Sequence, residues 1–295
     1  MVKYGSDPEV FAVYDDNKMY DSGFINEQPF CIPPVALEDA GLLTPIGGDY
    51  KHPIYLSTDE FNIIADGAAL EVNLKRGFEK PLEMRKVLMD SIESMNSLVG
   101  DLSIGIIPTV NFDYNRFCNG KSMSDIRYAM GMIFGCDPDI DAFDVTMPSI
   151  TVDATKHPLR YGGGHLHFSG EEFGEYPLPA TKLLALTVGN YVTSKTGGEL
   201  ARLRVKYYGK PGKYRETQYG SVKGVEYRTP SNAWLLLPED NFIEMFDWAE
   251  RALFFLKNPS IGKKALEMFS MVTVDAVSTA NASASSEILE EIKRI

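Results

Sequence analysis

Four short segments of this chain place ionisable side chains two residues apart. Asp7 and Glu9 stand around Pro8, His165 and His167 around Leu166, Arg202 and Arg204 around Leu203, and Glu226 and Arg228 around Tyr227. On a β-strand, positions i and i+2 share a face. One such pair is an ordinary half-exposed strand. Four pairs spread over 295 residues point to a curved sheet whose charged faces line one cavity. Charges gathered in a cavity persist only when they are paired or bound to metal.

The rest of the sequence fits an α+β chain. Glu9–Tyr14 alternates loosely, and residues 61–64 and 69–73 read as strands around the turn signal Asp66-Gly67. Pro81–Leu98 carries Leu82, Leu88, Ile92, Met95 and Leu98 at helical spacing. Residues 102–110 read as one buried strand, and 164–169 as a short strand after Gly162-Gly163-Gly164. Residues 180–196 read as a helix stopped by Gly197-Gly198. Residues 200–207 and 225–229 read as strands, with a Gly/Pro/Lys loop over 209–219. Amphipathic helices follow over 242–256, 263–271 and 286–294. Strands separated by helices at hairpin-length gaps indicate α+β rather than strict βαβ order. Dinucleotide, P-loop and nucleophile-elbow patterns do not occur after a strand, which removes the main support for those enzyme classes.

Charge narrows the function. The chain has 41 Asp and Glu against 29 Lys and Arg, a net charge of −12. That balance argues against a nucleic-acid polymer as partner, because duplex affinity comes mostly from Lys and Arg neutralising phosphates. It also disfavours binding to an anionic membrane surface. Between Arg202 and Lys223 the sign reverses: seven basic residues face Glu216 alone, an excess of +6. Glycines at 209, 212, 220 and 224 give that segment freedom to close over a polyanion. Arginine forks suit phosphate or carboxylate, and basic arms facing acidic residues suit a nucleoside triphosphate bridged by Mg²⁺. Cys31, Cys118 and Cys136 show no CxxC spacing, which argues against a disulfide framework or thiolate zinc site and for a cytoplasmic location. The N-terminus lacks the apolar region of a signal peptide. His52 and His157 each precede a proline in loop-like sequence and carry no functional assignment. Asp66 and Glu71, five apart, would face opposite sides of a regular strand unless Gly67 turns both inward. Glu71 is the preferred site residue, and Asp66 stands between ligand and turn former.

Taken in order, Gly-Ser-Asp-Pro-Glu (5–9), Asp-Gly-Ala-Ala-Leu-Glu-Val-Asn (66–73), Gly-Gly-Gly-His-Leu-His-Phe-Ser (162–169), Arg215 with Tyr219-Gly220, and Gly-Val-Glu-Tyr-Arg-Thr-Pro-Ser-Asn (224–232) resemble the phage-type carboxylate–amine ligases, type 2. These are amidoligases of the glutamine synthetase and glutamate–cysteine ligase superfamily. The resemblance spans residues 5 to about 235. It implies a single glutamine-synthetase-like catalytic domain over 1–295, with C-terminal helices over 239–295. It implies a curved, mainly antiparallel sheet forming a half-barrel or funnel, with helices packed outside. It implies ATP and Mg²⁺, or Mn²⁺, as cofactors.

By the same resemblance, Glu9, Glu71, His165, Glu226 and, more weakly, Asp66 are metal ligands. Arg228, Arg215 and Arg202 stabilise the transferring phosphoryl group, and His167, Arg204, Lys213 and Ser169 contact the nucleotide. Asp7 either stands in for a second first-strand carboxylate or shapes the turn. The 209–219 loop closes over the acyl phosphate. The expected reaction joins a small-molecule or peptide carboxylate to an amine through that acyl phosphate, in the cytoplasm of the host cell if the chain is phage-encoded. A homo-oligomer is compatible with the superfamily. Rival readings are a guanidino or amine kinase of the same fold, a metallohydrolase using His165 and His167, and a phage structural or accessory protein retaining the fold.

Overall fold

Strand parity, with successive side chains on opposite faces, decides which face of each sheet a residue takes. The structure is a computed structural model, and it describes residues 2–14, 25, 28–118, 127–129, 140–146 and 156–295. Cys136 and the Gly135–Asp139 stretch, a short echo of residues 5–9, lie outside the described residues. The strands are β1 (Lys3–Ser6), β2 (Glu9–Tyr14), β3 (Phe30–Ile32), β4 (Gly47–Gly48), β5 (Pro53–Ser57), β6 (Phe61–Asp66), β7 (Ala69–Leu74), β8 (Ser103–Gly105), β9 (Thr109–Asn111), β10 (Ile140–Asp141), β11 (Leu159–Tyr161), β12 (Leu166–Ser169), β13 (Lys213–Tyr219) and β14 (Val222–Tyr227). They form two open sheets. One runs β1-β12-β14-β13-β10. The other runs β11-β9-β3-β2-β7-β6-β5-β4, with β8 also paired to β2. Pairing is antiparallel except between β3 and β9.

The two sheets share one core. Val10, Ile63, Ala65, Leu70 and Val72 enter it from the larger sheet, and Leu166, Phe168, Val225 and Tyr227 from the smaller. Helices cover that apolar face: Pro81–Leu98, Pro177–Leu184 continuing through a π-helical turn Ala185–Gly189 into Asn190–Thr196, Glu239–Lys257, Pro259–Ser278 and Ala282–Ile292. Leu184, Tyr191, Phe242, Phe246 and Phe255 are their main contributions to the same core. Each buried aromatic removes on the order of 150–250 Å² from water, so these helical aromatics are a large part of the core alongside Phe61, Phe78, Phe168 and Tyr227 of the sheets and loops. Proline starts three of these helices at the first turn, where its missing N–H costs nothing. No described helix is long and apolar enough to cross a membrane.

Three sequence expectations are corrected. Residues 200–207 are not a strand: Glu199–Val205 is a helix, and Arg202 and Arg204 therefore point to different sides. Leucine, arginine and alanine favour helix, and Gly198 precedes its first turn. Residues 102–110 are two short strands, β8 and β9, because Pro108 lies between them and cannot donate to a ladder. Only 209–212 is loop, since Lys213–Tyr219 is a strand whose residues Tyr214–Tyr219 pair with β14. Its alternating Tyr, Arg, Thr and Tyr suit a half-exposed strand.

Candidate cation and phosphate site

The ionisable residues lie on the sheet faces turned away from the shared core. In the smaller sheet, Gly5, His167, Glu226 and Arg215 are register partners in one row across β1, β12, β14 and β13. Paired residues share a face, so His167, Glu226 and Arg215 project together. Ser169 and Lys213 lie two residues away on the same face. In the larger sheet, Glu9 pairs with Glu71, and Glu71 with Ile64. Asp66 is two residues beyond Ile64, so it joins the face of Glu9 and Glu71. No bulge is needed. Gly67 takes φ of 56°, a left-handed conformation glycine adopts without steric cost, and the chain reverses before parity would carry Glu71 away.

The chain passes from one sheet to the other at Asp7-Pro8-Glu9. This corner brings two donor groups together. Asp7, His167 and Glu226 form one, and Glu9, Asp66 and Glu71 the other, with the ligand atoms of each group within 4.8 Å of one another. Glu9 is firmly held. The Gly163 N–H donates to Glu9 Oε2 at 2.8 Å, the Tyr208 hydroxyl to Oε1 at 2.9 Å, and Asn232 Nδ2 to the Glu9 carbonyl at 2.8 Å. A Cβ on Gly163 would lie 2.6 Å from His165 Nε2 and 3.0 Å from Glu9 Oε1, so only glycine admits both side chains.

His165 is fully buried and borders the smaller-sheet group. Its Nδ1 lies 3.1 Å from Asp7 Oδ1 and its Nε2 2.7 Å from the Tyr208 hydroxyl. Its Nδ1 also lies 3.5 Å from Glu226 Oε1, so both histidines border the two carboxylates, and His167 is the one that completes the three-residue donor group. His167 Nδ1 meets the Tyr219 hydroxyl at 2.7 Å. Its Nε2 lies 3.2 Å from Asp7 Oδ1 but lacks hydrogen-bond geometry there. A buried imidazole nitrogen beside two carboxylates without a hydrogen bond is what a cation ligand requires.

Electrostatics describe the same crowding. Burial and the nearby Glu9 carboxylate push Asp66 up to about 8. Burial, then Asp7, Asp66, Glu9 and Glu226, push Glu71 well above the usual carboxylate range. Burial opposes ionisation of Asp7 as well, yet His167 and His165 hold its carboxyl far below the ordinary value. His167 is raised in turn: burial works against it, and Asp7 more than offsets this. A cluster in which carboxylates resist ionisation for want of positive charge is matched to a hard cation.

The arginines divide. Arg228 is buried, pairs through Nη1 with Glu226 Oε1 and donates from Nη2 to Tyr208 at 3.3 Å. Arg215 is half-buried in the row with Glu226, close enough to Asp66 to oppose the rise of its pKa. Arg202 is 51% exposed and lies 4.0 Å from Glu199, so the structure does not bring it to the site. Arg204 is buried and donates to the Thr229 and Pro230 carbonyls at 2.7 and 3.0 Å, which makes it a clasp for the chain leaving β14. Lys213 is buried with its Nζ 4.0 Å from Asp141. Ser169 is buried with its hydroxyl unpartnered beside Gly224. His52, read as bland, places Nε2 4.0 Å from Asp66 at the outer edge of the acidic group. His157 packs with Tyr161 and Tyr207 instead.

Sequence reasoning missed Tyr208 and Tyr219. Tyr219 had a usable signal, four residues after Arg215 on a strand and therefore on the same face. Tyr208 was hidden by the strand reading of residues 200–207. No protein-family model matches the chain, and no curated protein or solved structure matches it.

Proposed function

We propose that this chain is an ATP- and Mg²⁺-dependent carboxylate–amine ligase that forms an amide through an acyl phosphate. The observation that carries this reading is the pair of donor groups, Asp7–His167–Glu226 and Glu9–Asp66–Glu71, meeting at one corner with Arg228 and Arg215 beside them. The donor chemistry fits Mg²⁺ or Mn²⁺: five carboxylates and one imidazole, with no thiolate. Such ions, when bound, offset the negative charge of the β- and γ-phosphates. The open antiparallel sheets with helices on one face also suit a glutamine-synthetase-like half-barrel.

The chain's own residues do the rest. Arg228 and Arg215 provide guanidinium donors for the γ-phosphoryl oxygens. The substrate carboxylate attacks the γ-phosphorus, the bond to the β,γ-bridging oxygen breaks, and ADP leaves. The amine nitrogen then attacks the acyl carbon, the bond from carbon to the phosphoryl oxygen breaks, inorganic phosphate leaves, and the amine gives up a proton. This chemistry is positioning and charge stabilisation, so no covalent enzyme nucleophile is required.

The test is an ADP-release screen over carboxylate and amine pairs with mass spectrometry of products. ADP and phosphate are expected only when both substrates are present, with a product one water lighter than their sum. A stable phosphorylated amine would instead identify a kinase. Glu71→Gln is the informative variant. Glu226→Ala or Arg228→Ala would leave a buried charge unpaired, costing about 3–5 kcal/mol, and would confound folding with function.

A further inference from the structure

Tyr208 belongs to neither donor group, yet its hydroxyl touches both neighbourhoods. It lies 2.9 Å from Glu9 Oε1, 2.7 Å from His165 Nε2 and 3.3 Å from Arg228 Nη2. Glu9 is part of the larger-sheet group. His165 and Arg228 contact Asp7 and Glu226, members of the smaller-sheet group. A tyrosine hydroxyl has one proton and two acceptor positions. All three are used when the proton goes to Glu9 and the oxygen accepts from His165 and Arg228.

The delivery of this hydroxyl follows from helix geometry. The Tyr208 N–H donates to the Arg204 carbonyl at 2.8 Å, one further turn beyond Glu199–Val205. Residues i and i+4 of a helix share a face. The Arg204 guanidinium accordingly lies 4.7 Å from the centroid of the Tyr208 ring, while its nitrogens are fastened to the Thr229 and Pro230 carbonyls. The ring is clamped from behind and the hydroxyl is aimed at Glu9 and His165. The His165 ring also meets the Tyr208 ring edge-on at 5.8 Å.

We propose that Tyr208 is a positioning residue that fixes the Oε1 oxygen of Glu9 and thereby couples the two cation groups into one centre. This rests on the cation reading of the site given above. With Oε1 held by Tyr208 and Oε2 held by Gly163, the Glu9 carboxylate is fixed where one of its oxygens lies within 4.8 Å of ligand atoms of Asp66 and Glu71. Without the hydroxyl, Oε1 loses its tether and His165 loses the partner of its Nε2. Partners that orient metal ligands are worth roughly 10- to 100-fold in metal affinity.

The experiment is Mn²⁺ titration of the full chain by calorimetry and electron paramagnetic resonance, comparing it with Tyr208→Phe, Glu71→Gln and the double variant. Phenylalanine keeps the ring that Arg204 packs against, so the fold is retained. Expected is two-ion binding by the unaltered chain, and a loss of roughly 10- to 100-fold in affinity for one ion in Tyr208→Phe. That ion is the one Glu71→Gln also weakens, and the double variant adds little. In the metal-free chain the ¹⁵N resonances of the His165 ring shift in Tyr208→Phe while those of His52 and His157 do not, a signature that general loosening would not give. Unchanged affinity for both ions, or an unmoved His165 resonance, would overturn the role of Tyr208 alone. Absence of Mn²⁺ binding by the unaltered chain would overturn the cation reading and this inference together.

Discussion

At the scale of single residues, the site is a set of protons held in place of cations. Asp66 is raised to about 8, against an unfolded value of ~3.9. Between those values the folded chain keeps a proton that the unfolded chain has released. The stability that Asp66 contributes without divalent ions is therefore full below about pH 4 and is lost as pH rises through about 8. Glu71, raised by burial and by its carboxylate neighbours, pushes in the same direction. His167 does too, since Asp7 raises it above its unfolded value despite burial. Asp7 pushes the other way: with its folded value depressed, its contribution is present above about pH 4 and lost in acid. Urea unfolding in chelator should consequently show stability falling as pH rises from about 4 through about 8 and on toward the alkaline side, with a separate acid limb from Asp7. Added Mg²⁺ or Mn²⁺ should offset the alkaline loss, because cation binding displaces those protons. Metal-free stability that rises between about pH 6 and 9 would contradict the crowding described for Asp66 and Glu71.

At the scale of elements, turns and helix phase decide which charges meet. The β6–β7 hairpin brings Asp66 over Glu71 only because its reversal uses a left-handed Gly67. Gly67→Val should cost about 1–2 kcal/mol, the penalty for a side chain at positive φ, visible as a lower urea midpoint. It should also weaken Mn²⁺ binding by displacing Asp66, and a variant with full affinity would show that Asp66 is only a turn former. The helix Glu199–Val205 makes the opposite case. Arg202 is exposed on it, so Arg202→Ala should leave stability within about 0.5 kcal/mol and leave ADP release unchanged.

These elements also show what the sequence made legible. The pairs His165/His167 and Glu226/Arg228 follow from strand parity, and both were readable because Leu166 and Tyr227 are core residues between them. The helix Pro81–Leu98 was readable from its period, although Leu82 is 41% exposed and Met84 takes its place in the core. Arg202/Arg204 gave the same two-residue signal and was misleading, since parity is informative only once the element type is known. The joining of Asp66 to Glu71 depends on cross-strand register, which no single strand encodes. Tyr208 depends on a helix turn continuing past Val205, an effect of tertiary packing around Arg204 rather than of local propensity.

At the scale of the whole molecule, the corner Asp7-Pro8-Glu9 is where two sheets are joined and where two donor groups meet. Proline fixes φ and has no N–H to extend a ladder, so β1 ends and β2 begins in a different sheet. Asp7 then serves the group on β12 and β14, and Glu9 the group on β6 and β7. The sheets already share a core, so heat should unfold them in one transition. A cation at either group adds ligand bonds across the junction. At about 100 times its Kd it should stabilise the chain by about 2.7 kcal/mol. Because the groups draw on different sheets, that gain should appear as slower amide exchange in both β12–β14 and β6–β7. Protection confined to one sheet would mean that the donor groups act separately. Protection of both by a single cation species would mean that the corner at Pro8 transmits occupancy from one sheet to the other.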